Sequence, residues 1–329
     1  MPGDLDIEQG KTQNGLEMMD RERRWLLDMV KDESDQQTID QYVERESILE
    51  RDLVLANSDI SSQKIETKFP KCSTYKTAHG IFNFFGRYSE AAMKNFSEVS
   101  EADIVRICRF LKCTDSIPQI IFNIFSNSRD KQMADPFHSP GKASARYDEM
   151  TVYRVWGKEL IQVSFPHETT HIVAHSLFTP YKLKTVVDTA DGGTQEIEAA
   201  MVGTAFFQEG LAITLNEIEF GLKYSSPTKE EEFVDDWVRQ GIKYSGWHFN
   251  LREMINMDGF DKYGSPIGPA VAGSFCKFLI NQYGVETFLK AYQQLSELSS
   301  TEQNITSIGN AFGVDFENLS RNWISSLNN

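Results

Sequence analysis

The segment SFPHETTHIVAH, residues 164–175, constrains the fold more than any other stretch of the 329-residue chain. It spaces His167, His171 and His175 four residues apart, half of the six histidines in the protein, and Glu168 follows the first of them. Residues four apart share one face of an α-helix, so His167 and His171 can reach a common point if the segment is helical. Pro166 suits the first turn of such a helix, where a missing N–H costs nothing, and Thr179-Pro180 marks its end. Local propensity argues that position matters here. Thr169, Thr170, Ile172 and Val173 put four β-branched residues into one short helix.

His-Glu-x-x-His is a metal-binding spacing, and the metal it suits is zinc. Two imidazoles one turn apart can hold the same ion, while Glu168 lies beside the first ligand, where its carboxylate can take a proton from a zinc-acidified water that attacks a carbonyl. His175 stands apart. It is about 12 Å along the axis from His167 at 1.5 Å per residue, too far for three histidines in a row to meet on one tetrahedral ion. It is expected to pack, or to orient a ligand through a hydrogen bond.

The third ligand must come from elsewhere, and Glu209 in FFQEGLAITLNE leads. Phe206, Phe207, Leu211, Ala212 and Ile213 flank it, and a lone carboxylate among apolar groups is costly unless paired or metal-bound. Asp188, Asp191, Glu196 and Glu198 are intervening rivals, and Glu217 is a candidate to support a ligand.

Charge and cysteine usage narrow the function classes. The 33 Lys and Arg against 48 Asp and Glu give a net charge of −15, which argues against nucleic acid or an anionic membrane as partner. No apolar run approaches the roughly 20 residues that span a bilayer, and the start, MPGDLDIEQGKTQNG, lacks the pattern of a secretory signal. The cysteines at 72, 108, 113 and 276 form no C-x-x-C, so free thiols in a reducing, cytoplasmic setting are expected. Asn95, Asn304 and Asn318 match a glycosylation pattern that carries no weight there. The oligomeric state is not legible in the sequence.

Along the chain, residues 1–18 read as polar and disordered. RERRWLLDMV and TIDQYVERESILERDLVLA read as charged helices, and a further helix is expected to start at Ser100, with Asp103 three positions on. QIIFNIF, 119–125, reads as a buried strand, and MTVYRVW with LIQVSF as a hairpin over 150–165. Beyond about 194 almost everything reads as helix. The expected organisation is an N-terminal helical region, 1–117, and an α+β domain, 118–329.

At the metal-site residues the chain resembles the gluzincins, zinc peptidases with H-E-x-x-H on one helix and a glutamate ligand on a later one. EGLA, 209–212, is similar to the E-G-x-A motif of the peptidase MA-like and aminopeptidase-type branches. AGSFCKFLINQYGVETFLKAY, 272–292, and NAFGVDFENLSRNWISSL, 310–327, resemble the later helices of peptidase MA-like domains. The third histidine of the metzincins is absent, since position 177 is Leu.

The resemblance implies a zincin fold with a small sheet and a helical C-terminal lobe. His167, His171 and Glu209 would be the zinc ligands, Glu168 the general base, and a peptide or protein the substrate. The strand at 160–165 would form the cleft rim, where an extended peptide could pair with it. Two departures stand out. TVVDTADGGTQ reads as an inserted loop before Glu209, and Pro269 stands where relatives often carry a tyrosine, leaving Tyr263 or His248 as candidate transition-state donors. A degenerate peptidase kept as a peptide-binding module would carry the same residues. A structural zinc site would need a fourth ligand, for which only Cys276 is at hand.

Overall fold

The computed structural model describes residues 73–113, 117–134, 143–146, 150–156, 166–178, 184–188, 194–198, 202–226 and 229–328. Residues 1–18, the charged helices expected before residue 57 and the strand expected at 160–165 lie outside the described residues. The described part is α+β: a small five-stranded sheet and a larger helical portion.

The sheet begins with β1 (Ser73–Lys76) and β2 (Gly80–Phe85), an antiparallel pair. α1 (Glu90–Phe110) follows, and then β3 (Ile120–Phe125) returns parallel to β2, with Phe82 beside Phe122 and their rings stacked at 4.7 Å. After the short α2 (Ser128–Ala134) come β4 (Ala143–Arg146) and β5 (Thr151–Val155), giving the order β1-β2-β3-β5-β4. β5 runs parallel to β3 and antiparallel to β4. The partner of β5 is therefore the strand before it, and β3 holds its other side, so the hairpin expected over 150–165 is built from 143–155 instead.

α1 starts well before Ser100. Ser89 is its N-cap, with a hydroxyl that accepts from the Ala92 N–H at 3.2 Å, and Glu90 follows with the acidic charge a helix start favours. Ser100 is buried inside the helix. Phe96 projects from α1 onto the sheet, its ring edge-on to Phe82 and Phe84 at 6.2 and 5.8 Å. The boundary expected at 117/118 thus falls inside one sheet, because β1, β2 and α1 belong to the same layer pair as β3.

α3 (Pro166–Phe178) starts at the expected proline and packs against α1, β4 and β5. β6 (Lys184–Asp188) and β7 (Thr194–Glu198) pair antiparallel, so the expected inserted loop is a β-hairpin. α4 (Ala205–Phe220) crosses α3 and is followed by a second hairpin, β8 (Tyr224–Ser226) with β9 (Lys229–Glu232), and by α5 (Val234–Tyr244). α6 (Met257–Tyr283), α7 (Val285–Tyr292), α8 (Thr301–Phe312) and α9 (Phe316–Ser326) complete the chain. Among the described residues no helix is long and apolar enough to cross a membrane.

Candidate metal centre

α3 and α4 are the two most enclosed helices, and that is why the site sits between them. On α3, Thr169, Thr170, His171, Ile172, Val173 and Ala174 are all buried. The Thr170 hydroxyl donates to the Pro166 carbonyl at 2.8 Å, so it is satisfied within the helix. Packing on several sides at once explains how a β-branched segment holds a helix that propensity disfavours. α4 is as apolar, with Phe206, Phe207, Leu211, Ala212, Ile213 and Leu215 buried.

Three side chains converge where the helices cross. His167 Nε2 and His171 Nε2 are 3.2 Å apart, His167 Nε2 is 3.3 Å from Glu209 Oε2, and His171 Nε2 is 3.3 Å from Glu209 Oε1. Among the described residues these three form the group able to hold a metal ion. Ligands about 2.0–2.1 Å from a zinc ion at tetrahedral angles lie about 3.3–3.4 Å from one another. The two imidazole nitrogens stand at that separation, and each faces a different oxygen of the Glu209 carboxylate at a similar distance. His171 is nearly sealed, with 5% of its side chain exposed, while Glu209 keeps 33%, so the group is open on the glutamate side.

The electrostatics fit the same arrangement. Burial pushes the Glu209 carboxyl up, but His171 and His167 outweigh it and hold the group well below its ordinary value. Burial pulls the His167 imidazole down, yet its hydrogen bond to Glu209 and the charges of Glu209 and Glu168 raise it to about 9. The pocket thus favours positive charge, supplied by a proton when nothing else is present. Glu168 is half-buried on α3, within electrostatic reach of His167. His175 is not part of the converging group.

The EGLA and AGSF motifs have a packing reason. A Cβ on Gly210 would stand 2.4 Å from Cys276 Sγ and 2.7 Å from the Ala272 carbonyl oxygen, and one on Gly273 would stand 2.5 Å from Ile213. The Thr214 hydroxyl donates to the Gly273 carbonyl at 2.9 Å. α4 and α6 touch backbone to backbone here, and this seats the helix that carries Glu209.

Other sequence expectations resolve differently. Cys276 packs under Gly210, and burial pushes its thiol up, so it is wedged between helices as a neutral group outside the converging triad. Glu217 serves α5 and α6: it accepts from the Val234 N–H at 2.8 Å and pairs with Lys277, which also reaches Asp235 at 2.7 Å. The Tyr263 hydroxyl accepts from the Asn250 N–H at 2.9 Å and lies 3.3 Å from Glu253, and His248 is exposed. Of the rival ligands, Asp191 and the side chains of Asp188, Glu196 and Glu198 lie outside the described residues.

Two residues near the site escaped the sequence. Tyr224 on β8 is pushed up to about 12 by burial and by the charge of Glu209, which puts its hydroxyl within electrostatic reach of the triad. No motif surrounds it. Glu297 accepts from the Ala205 N–H at 2.5 Å and from the Met257 N–H at 2.7 Å, capping α4 and α6 with one carboxylate. The N-caps of these helices, Thr204 and Asn256, make no side-chain cap of their own, which is a signal only the fold reveals. No family model matches the chain, and no curated protein matches it.

Proposed function

We propose that this protein is a zinc-dependent peptidase of the zincin type, with His167, His171 and Glu209 as zinc ligands and Glu168 as general base. The observation that carries the reading is the convergence of two imidazole nitrogens, 3.2 Å apart, on the two oxygens of one partly exposed carboxylate, each at 3.3 Å. Two neutral imidazoles and one carboxylate suit zinc, and three protein ligands leave one position for water or substrate, the pattern of a catalytic rather than a closed structural site. Bound zinc would supply a Lewis acid for the substrate carbonyl and lower the pKa of a water toward 7.

The protein's own groups then have distinct tasks. Glu168, beside His167 and outside the triad, takes a proton from the attacking water and returns it to the leaving amine. Glu209 offsets charge at the centre, and the burial of His171 keeps that imidazole in place. β4 is the last strand of the described sheet and packs next to α3, an edge position at which an extended peptide would pair by backbone hydrogen bonds.

A diverse peptide library presented to the wild type and to Glu168→Gln tests the reading. The variant should keep its zinc, since the altered side chain is not a ligand, and lose cleavage by about 10²–10⁴-fold. Equal cleavage by both forms contradicts the mechanism. Zinc retained by a wild type that cleaves nothing in the library would mean a peptide-binding module.

A further inference from the structure

Cys108 and Cys113 lie at the end of α1, are not members of the triad, and are both free thiols. The helix closes with two hydrogen bonds: the Cys113 N–H donates to the Cys108 carbonyl at 2.9 Å, and the Lys112 N–H to the Arg109 carbonyl at 3.3 Å. Lys112 between them adopts a left-handed conformation, φ 58°. This is the Schellman closure, in which the side chain just past the left-handed residue folds back onto the one in the last helical turn. Those two positions usually hold an apolar pair. Here they hold two cysteines, joined through the backbone bond from the Cys113 N–H to the Cys108 carbonyl.

We propose that Cys108 and Cys113 form a redox dithiol, a modification site that closes to an intramolecular disulfide by exchange with a small-molecule disulfide of the glutathione type. The closure brings the two backbones together as a disulfide requires, with Cα atoms about 4.4–6.8 Å apart. The half-buried Cys113 is the entry point and Cys108, which is buried, the resolving group. The Cys113 thiolate attacks one sulfur of the small disulfide and expels one thiolate, leaving a mixed disulfide. Cys108 then gives up its proton and attacks the Cys113 sulfur, expelling the second thiolate. Two protein thiols are oxidised, one small disulfide is reduced to two thiols, and the two cysteine protons pass to the departing thiolates. The bond would fix Lys112 in its left-handed conformation and staple the end of the helix that packs on α3.

The electrostatics of the pair agree with this order of events. The hydrogen bond with Cys113, and then burial, push the Cys108 thiol up, while the hydrogen bond from Cys108 lowers Cys113 despite its own partial burial. Cys113 therefore ionises first, on the accessible side.

The test equilibrates the full chain with reduced and oxidised glutathione, quenches it with acid and maps it with trypsin. Cleavage after Arg109 and Lys112 separates ICR from the peptide that begins at Cys113. The expected result is these two peptides joined, at a mass lower by two hydrogens than the reduced pair, and reversal by reductant. Cys108→Ser should instead accumulate a stable glutathione adduct on Cys113, and Cys113→Ser should leave Cys108 a free thiol. Unlinked peptides in the wild type, a lasting adduct on Cys113, or linkage of either cysteine to Cys72 would overturn the proposal. Metal content does not enter this test, so its outcome is separate from that of the zinc reading.

Discussion

Gly210 carries more of the site than its lack of a side chain suggests. The Ala272 carbonyl, which a Cβ there would meet at 2.7 Å, belongs to a helix backbone and cannot swing aside. Gly210→Ala should therefore push α4 off α6 and cost about 1–3 kcal/mol, seen as a lower thermal midpoint, with zinc binding weakened because Glu209 is the neighbouring residue. An unchanged midpoint would mean that the crossing is looser than the geometry states. The histidines and Glu209 were legible in the sequence because their chemistry is local: four-residue spacing on a helix, and a carboxylate amid apolar residues. Glu217 and Tyr263 were less legible for the converse reason. A carboxylate two turns on and a nearby tyrosine acquire meaning only from what faces them, here Lys277 and Val234 in one case and Asn250 and Glu253 in the other. Tyr224 and Glu297 could not be found by pattern at all, since each acts across a gap that only packing closes.

At the scale of elements, two carboxylate clamps make separate predictions. Glu297 joins the starts of α4 and α6, and the loop that carries it is held by Asn304, whose side-chain amide donates to the Ser296 carbonyl at 2.8 Å. Glu297→Ala should cost about 1–2 kcal/mol through two lost caps and weaken zinc binding in a competition titration. Burial, with Asp258 and Asp261 nearby, pushes this carboxyl up, so Glu297→Gln, which keeps an acceptor and sheds the charge, should lose less. The second clamp is Glu101, which ties α1 to the β1–β2 turn by accepting from the Thr77 hydroxyl at 2.5 Å and the His79 N–H at 3.0 Å. Burial alone would raise its pKa, but these bonds outweigh burial and leave it below the ordinary 4.5. A lowered folded-state value means stability that is present above 4.5 and is lost as the pH falls through it. Urea unfolding from neutral pH to about pH 3 should show this loss, and Glu101→Gln should flatten it. Element boundaries were legible where a terminus signal was unique, as at Pro166. They were missed at Ser100, because an acidic turn follows both Ser89 and Ser100 and only the first of them opens the helix.

The molecule as a whole joins its sheet from both sides of the expected boundary at 117/118. That boundary was placed by texture, from charged helix to apolar strand, whereas parallel pairing of β2 with β3 is non-local and leaves no mark on either segment alone. The net charge of −15 is a property of the whole surface and says nothing about this pairing. The proposed zinc centre is likewise a matter of assembly, since its three ligands come from two helices from different parts of the chain, α3 and α4. X-ray absorption at the zinc edge, with metal stoichiometry measured on the same purified full-length sample, tests it most directly. The expected result is one zinc per chain with only nitrogen and oxygen neighbours, two of them imidazoles, at about 2.0–2.2 Å, and loss of that zinc in Glu209→Ala and His171→Ala. A protein that takes up no stoichiometric zinc, or one whose zinc has a sulfur neighbour at about 2.3 Å, would contradict it.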